Sequence, residues 1–401
     1  VKILFISHAA SRTGAPLILK KLLEWLKINS SDIEFDILLK ADGPLREDFE
    51  KIAPTMLWQI KEKKYSFPEY FLREAFRYRE VPNHHKKLLK KIRQNNYDLI
   101  YANTIATSDL LYAILNQLRV PVILHVHELE MGIKLYCDPG LFKKIMDKIT
   151  YFVVVSKIVQ ENLIQQHQIH PDKIHLVHAF ACAPWEIRKI KEAITIELHI
   201  PPGAFIVGGC GWIEWRKGVD LFVQVAHSVL KAEQSGKPIY FIWLGNASPI
   251  ELYKIKYDIR SLGLTTKIIL IPNSETPADY FNLFDLFLLP SREDPFPLVC
   301  VENALMGNPV VCFDKNVGST EFIDNTCGAV VPYLDLVKMS EAVLSFYEQP
   351  DLLAQAGENI KKRASEFTVE QQGPKILEVI QQLITPSVTD LSQPSEQKEA
   401  A

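Results

Sequence analysis

Arg292-Glu293-Asp294-Pro295-Phe296-Pro297-Leu298-Val299-Cys300-Val301-Glu302 follows the apolar run Leu286-Phe287-Leu288-Leu289 and leads into Asn303-Ala304-Leu305-Met306-Gly307, then Pro309-Val310-Val311. The order reads as strand, loop, short helix, strand. Two carboxylates, Asp294 and Glu302, bracket the turn that opens the helix. A helix start leaves backbone N–H groups without partners and carries partial positive charge, so it accepts an anion. A carboxylate one or two turns into the helix can reach hydroxyls beside that anion. Phosphate together with hydroxyls is the chemistry of a sugar nucleotide. A capped helix with ordinary acidic neighbours is the other reading of the same residues.

The alternation extends in both directions. Apolar runs at 2–7, 34–39, 99–103, 121–126 and 151–155 read as strands, with helical patterns at 15–28, 69–78, 84–95, 107–117 and 157–166. The regularity breaks near 179–190 and restarts at Phe205-Ile206-Val207-Gly208-Gly209. Strand patterns recur at 239–244, 268–271, 285–289, 309–312 and 328–331. Short apolar strands separated by helices imply parallel sheets covered on both faces. At 401 residues the chain is long enough for two such units. The expected organisation is a first α/β domain over 1–185 and a second over 186–368. A helix over 369–385 crosses back to the first, and a polar, disordered tail covers 386–401.

Two turns resemble ligand-facing loops. Ser11-Arg12-Thr13-Gly14-Ala15-Pro16 follows the first strand and opens a helix, where ligands sit in open α/β sheets; a plain tight turn fits as well. Gly208-Gly209-Cys210-Gly211-Trp212-Ile213-Glu214-Trp215-Arg216-Lys217-Gly218 opens the second half. Glu214 stands where a dinucleotide fingerprint needs its third glycine, and its charge would oppose a pyrophosphate, so a nicotinamide site is rejected. Arg216 and Lys217 instead precede the helical pattern Val219 to Lys231. Two cations beside a helix start can clamp a diphosphate without metal. A solvated basic pair is the alternative.

Val122-Ile123-Leu124-His125-Val126-His127-Glu128 is a buried strand ending in polar groups, with His125 and His127 on one face. His127, nearer the loop, is the better candidate for the mouth of a cleft. No third ligand accompanies the two histidines, so metal is not expected. Residues 61–93 hold eleven Lys or Arg against four Glu, interleaved with Tyr65, Phe67, Tyr70, Phe71, Phe76 and Tyr78. That strip reads either as a solvated face or as a peripheral contact with anionic lipid.

Composition narrows the classes. A net charge of −3 gives no pull toward nucleic acid. Six cysteines without Cys-x-x-Cys spacing argue against zinc and a disulfide framework, and for a reducing cytosol. Val1 to Ile6 reads as a strand rather than a leader, and no apolar run approaches the roughly 20 residues that span a bilayer. The expected location is the cytoplasm, with peripheral contact at the inner membrane face.

On these residues the chain resembles the retaining glycosyltransferases of family 4 (glycosyl transferases group 1), which have the GT-B fold. Asp294 to Glu302 matches the family's two acids separated by seven residues, and Ala304-Leu305-Met306-Gly307-Asn308-Pro309-Val310-Val311 continues the likeness. The resemblance implies two Rossmann-like, doubly wound domains facing a central cleft. Glu302 would hold the ribose hydroxyls, and Asp294 a hydroxyl of the transferred sugar. Backbone N–H groups of Phe296, Leu298 and Val299 would face sugar and phosphate. Lys217 and Arg216 would neutralise the leaving diphosphate, with Gly14 lining the opposite wall. His127 matches the histidine that closes on the sugar. Asp294, Pro297, Trp212 and the pair Ala179-Phe180 depart from the family pattern.

The implied reaction moves a sugar from a nucleoside diphosphate to a saccharide or lipid-linked acceptor with retention, in polysaccharide, lipopolysaccharide or glycolipid synthesis. No cofactor or metal is implied, and the chain contains no Asp-x-Asp motif. A sugar-nucleotide epimerase and a non-catalytic sugar-nucleotide binder remain as alternatives.

Overall fold

The computed structural model describes residues 1–59, 83–181, 187–272, 274 and 276–384. The expected helix at 69–78, most of the basic strip at 61–93 and the tail 386–401 lie outside the described residues.

Two parallel sheets organise the chain. The first contains β1 (Lys2–Ser7), β2 (Glu34–Leu39), β3 (Thr55–Leu57), β4 (Leu99–Asn103), β5 (Val122–Val126), β6 (Tyr151–Val154) and β7 (Ile174–Leu176), in the order β3-β2-β1-β4-β5-β6-β7. The second contains β8 (Phe205–Cys210), β9 (Ile239–Leu244), β10 (Ile268–Ile271), β11 (Leu286–Leu289), β12 (Val310–Phe313) and β13 (Gly328–Val331), in the order β10-β9-β8-β11-β12-β13. Ile3 to Ile6 and Leu286 to Leu288 are wholly buried, which is why these strands read as continuous apolar runs. The periodicity misses β3, and β7 emerges only through the family likeness. Each has three residues, too short for a pattern to register.

Strand order dictates where a site can form. In each sheet the winding reverses beside the first strand, between β1 and β4 and between β8 and β11. The loops leaving those strands at their carboxyl ends diverge and open a crevice. In the second sheet these are 211–218 after β8 and 290–297 after β11, the two stretches that sequence reasoning singled out.

Helices α1 (Gly14–Asn29), α2 (Arg46–Ile52), α3 (Asn83–Gln94), α4 (Ser108–Leu115), α5 (Glu130–Tyr136), α6 (Pro139–Met146) and α7 (Lys157–His167) accompany the first sheet. The second carries α8 (Lys191–Glu197), α9 (Val219–Ala232), α10 (Pro249–Ser261), α11 (Pro277–Phe281), α12 (Leu298–Met306), α13 (Leu336–Glu348), α14 (Pro350–Ala364) and α15 (Val369–Ile384). Gly208 and Gly209 are packing glycines inside β8. A Cβ there would strike the Phe284 ring at 2.0 Å and the Trp243 ring at 2.5 Å. The resemblance to a phosphate fingerprint is therefore a by-product of close packing.

The last helix packs on the first lobe. α15 lies against α1, and a Cβ at Gly373 would meet the Trp25 indole at 2.9 Å. Gly373→Val is expected to destabilise the protein by about 1–3 kcal/mol through overpacking. Denaturant unfolding reads this; an unchanged midpoint would show that the two helices separate at no cost.

Candidate active site

The second-sheet crevice holds a buried ion pair. Lys217 ends a single 3₁₀ turn, Trp215–Lys217, and its Nζ lies 2.6 Å from Asp294 Oδ2. Gly218 permits that turn: its φ is +67°, and a Cβ would sit 2.0 Å from the Pro290 carbonyl oxygen. Ser291 Oγ donates to the same Asp294 oxygen at 3.1 Å, and Arg216 stands 3.6 Å from Oδ1. The backbone of Asp294 is pinned on both sides, its N–H donating to Asn316 O at 2.7 Å and its carbonyl accepting from Gly318 N at 2.9 Å. Burial alone would push this carboxyl up, but Lys217 and Arg216 outweigh burial and hold it below the usual carboxylate range.

Arg216 and Lys217 differ in what they can offer a ligand. Arg216 donates to Glu214 at 3.1 Å and to the Glu293 carbonyl at 3.0 Å, so its guanidinium braces the two loops together. Lys217 is held mainly by Asp294, and an incoming anion would share it with that carboxylate. Sequence reasoning anticipated two cations, but not that both would already be partnered.

α12 begins beside this pair. The backbone N–H groups of Phe296, Leu298 and Val299 have no acceptor among the described residues, so the helix start is open to an anion. The Phe296 ring is buried against Phe322 and Phe367, which leaves only its backbone for a ligand. Glu302 lies further along the helix and makes no hydrogen bond or ion pair among the described residues. Burial pushes its carboxyl up to about 7. Gly14 opens α1 on the facing wall. A Cβ there would meet Leu298 Cδ1 at 3.6 Å, an ordinary contact, so the protein's own packing does not demand glycine.

The first-lobe wall is a polar cluster at the ends of β4 and β5. His127 Nε2 lies 2.8 Å from Asn103 Oδ1, while Asn103 Nδ2 donates to Ala15 O at 2.9 Å. That second bond fixes the amide, so the network assigns the His127 proton to Nε2. Burial lowers the His127 pKa well below its ordinary value, aided by His125 and His8, and the ring is neutral. His125 is spent on Tyr101, its Nδ1 lying 2.8 Å from the phenol oxygen. Glu128 accepts from His127 N at 2.9 Å and from Ile105 N at 3.3 Å, yet burial still pushes it up to about 7.

The lobes touch. Ser156 Oγ donates to Pro295 O at 2.7 Å, and Glu321 accepts from Lys157 N at 2.7 Å while lying 2.7 Å from His178 Nε2. Met131 N donates to Glu293 Oε2 at 3.4 Å. These contacts escaped sequence reasoning, since each joins residues more than 130 positions apart.

Residues 31–180 match the model of Glycosyltransferase Family 4, and residues 191–363 match that of Glycosyl transferases group 1. The chain belongs to this glycosyltransferase family. LpsB of Rhizobium meliloti (strain 1021), a lipopolysaccharide core biosynthesis mannosyltransferase, is 25% identical over 207 residues, 50% of this chain and 57% of that protein. An alpha-galactosylglucosyldiacylglycerol synthase of Streptococcus pneumoniae is 26% identical over 236 residues, 56% of this chain and 59% of that one. The match thus spans less than two thirds of the length of these curated relatives. Anabaena HepE, crystallised with UDP and glucose, superposes with a TM-score of 0.78 at 19% identity, covering 95% of this chain and 100% of that one. WaaG, a glycosyltransferase involved in lipopolysaccharide biosynthesis, superposes with a TM-score of 0.67 at 14% identity, covering 94% and 99%. The fold is GT-B.

In this family member Glu302 is charged at a cost. Its folded pKa lies above the unfolded value, so between the two the folded state binds more protons and stability falls as pH rises. Glu302→Gln is expected to raise the melting temperature, with a gain that grows from about pH 5 to about pH 8. Thermal denaturation across that range checks it; a gain independent of pH would mean that Glu302 is not raised.

Proposed function

We propose that the protein transfers a sugar from a nucleoside diphosphate to an acceptor hydroxyl with retention of anomeric configuration. The observation that carries this is the Lys217–Asp294 pair, 2.6 Å apart, beside the open start of α12 and the unpartnered Glu302. Glu302 accepts the ribose hydroxyls. The N–H groups of Leu298 and Val299, with the helix dipole, face the diphosphate. Asp294 orients a hydroxyl of the donor sugar, and Phe296 contributes its backbone N–H. Gly14 lines the wall facing the diphosphate. His127, neutral, closes on the sugar from the first lobe.

In the reaction the bond between the anomeric carbon and the diphosphate oxygen breaks, and its electron pair stays on the diphosphate. The acceptor oxygen bonds to the same face of the sugar, and its proton passes to the departing phosphate. Charge builds on the diphosphate, where Lys217, Arg216 and the α12 dipole are already oriented. Closing the lobes excludes water that would otherwise hydrolyse the donor. The printed roles of the relatives in lipopolysaccharide and glycolipid synthesis support a saccharide or lipid-linked acceptor. Among the described residues no helix is long and apolar enough to cross a membrane.

Lys217→Ala and Glu302→Ala are each expected to lower kcat/KM at least ~100-fold, about 2.7 kcal/mol. Release of nucleoside diphosphate from the donor is the readout, and it should survive EDTA. Near-wild-type turnover in either variant contradicts the assigned roles. A nucleoside diphosphate that raises the melting temperature without ever being produced from its sugar would point to a binder instead.

A further inference from the structure

Beside Arg216 the surface carries large apolar side chains that no core contact explains. Trp215 is 58% exposed, and Tyr136 on α5 is equally so. Met131 on the same helix shares a cavity of about 480 Å³ with Trp215, Ile213 and Ile255. Clustered exposed aromatics mark a binding surface rather than a random scatter. Their geometry is held. Arg292 packs over the Trp215 ring at 5.0 Å and is itself locked to Asp220 by two bonds of 2.9 and 2.7 Å. Tyr136 lies back along α5 over Gly132, where a Cβ would meet its ring at 4.0 Å, and sits close enough to Arg216 to interact with its charge.

The charge of the cavity selects its occupant. Glu214, Asp220, Glu251 and Asp258 line it against Arg216 and Lys254. Excess carboxylate repels an anionic lipid surface or a phosphate. It suits hydroxyls, which donate to carboxylates, while the C–H faces of a pyranose ring cover indole and phenol rings. We propose that this groove holds a neutral saccharide chain. Resting on the transferase reading above, the chain is the acceptor, lying along Trp215 and Tyr136 as its terminal hydroxyl approaches the donor beside Lys217. The groove joins both lobes, because Met131 and Tyr136 come from the first and Trp215 from the second.

The test is retention of the full chain on an immobilised panel of neutral glycans, with Trp215→Ala and Tyr136→Ala compared with wild type. Wild type is expected to bind at least one glycan, and both variants to bind it at least ~10-fold more weakly. The melting shift caused by nucleoside diphosphate should be the same in all three proteins. A wild-type protein that retains no neutral glycan, or variants that bind as well as wild type, overturns the proposal. So does binding to anionic vesicles that depends on Trp215. A missing nucleoside-diphosphate shift in wild type would instead sink the transferase reading itself.

Discussion

The site depends on one constraint: Lys217 and Asp294 neutralise each other in a place where neither charge could remain alone. Taking an ammonium and a carboxylate out of water costs several kcal/mol per ion, and only close geometry with supporting hydrogen bonds offsets it. Here the pair is 2.6 Å apart, Ser291 adds a donor, and both backbone neighbours of Asp294 are fixed. The parallel strands β8 and β11 make this possible. Their carboxyl-end loops bring residues 77 positions apart into contact without long side chains reaching across solvent. Truncating one partner leaves the other charge buried, so the pair is expected to be more fragile to single substitutions than to joint replacement.

The same pairing shapes what a ligand meets. A lysine already bound to a carboxylate is a weaker free cation than one in an empty cleft, yet it is held in position. An arriving diphosphate competes with Asp294, and a sugar hydroxyl can take over that carboxylate as Lys217 shifts. The ground state thus withholds part of the positive charge, and charge developing on the leaving group draws it out. Arg216 does not share this freedom, because Glu214 and the Glu293 carbonyl hold it between two loops.

Much of this architecture was legible in the sequence. The strands of both sheets are buried on two faces, so Ile3 to Ile6 or Leu286 to Leu289 could hardly be anything else. β3 and β7 were not, since three residues at a sheet edge leave no period to read. Asp294 and Glu302 were legible as a pair because they share one loop and one helix. The Lys217–Asp294 contact was not, because it exists only once strand order is known. Nor were Glu128, Glu321 and His178, whose sequence neighbours are unremarkable and whose partners come from distant segments. Gly208 and Gly209 looked like phosphate glycines and are packing glycines, since the rings that crowd them lie on other elements.

Calorimetric titration of UDP into wild type and Asp294→Asn tests the central claim most directly. If the carboxylate competes with the diphosphate for Lys217, the variant binds UDP about 10-fold more tightly, or 1.4 kcal/mol, although its transfer activity falls. Equal or weaker UDP binding by Asp294→Asn would mean that Lys217 is not shared between the two, and the account of the site would fail.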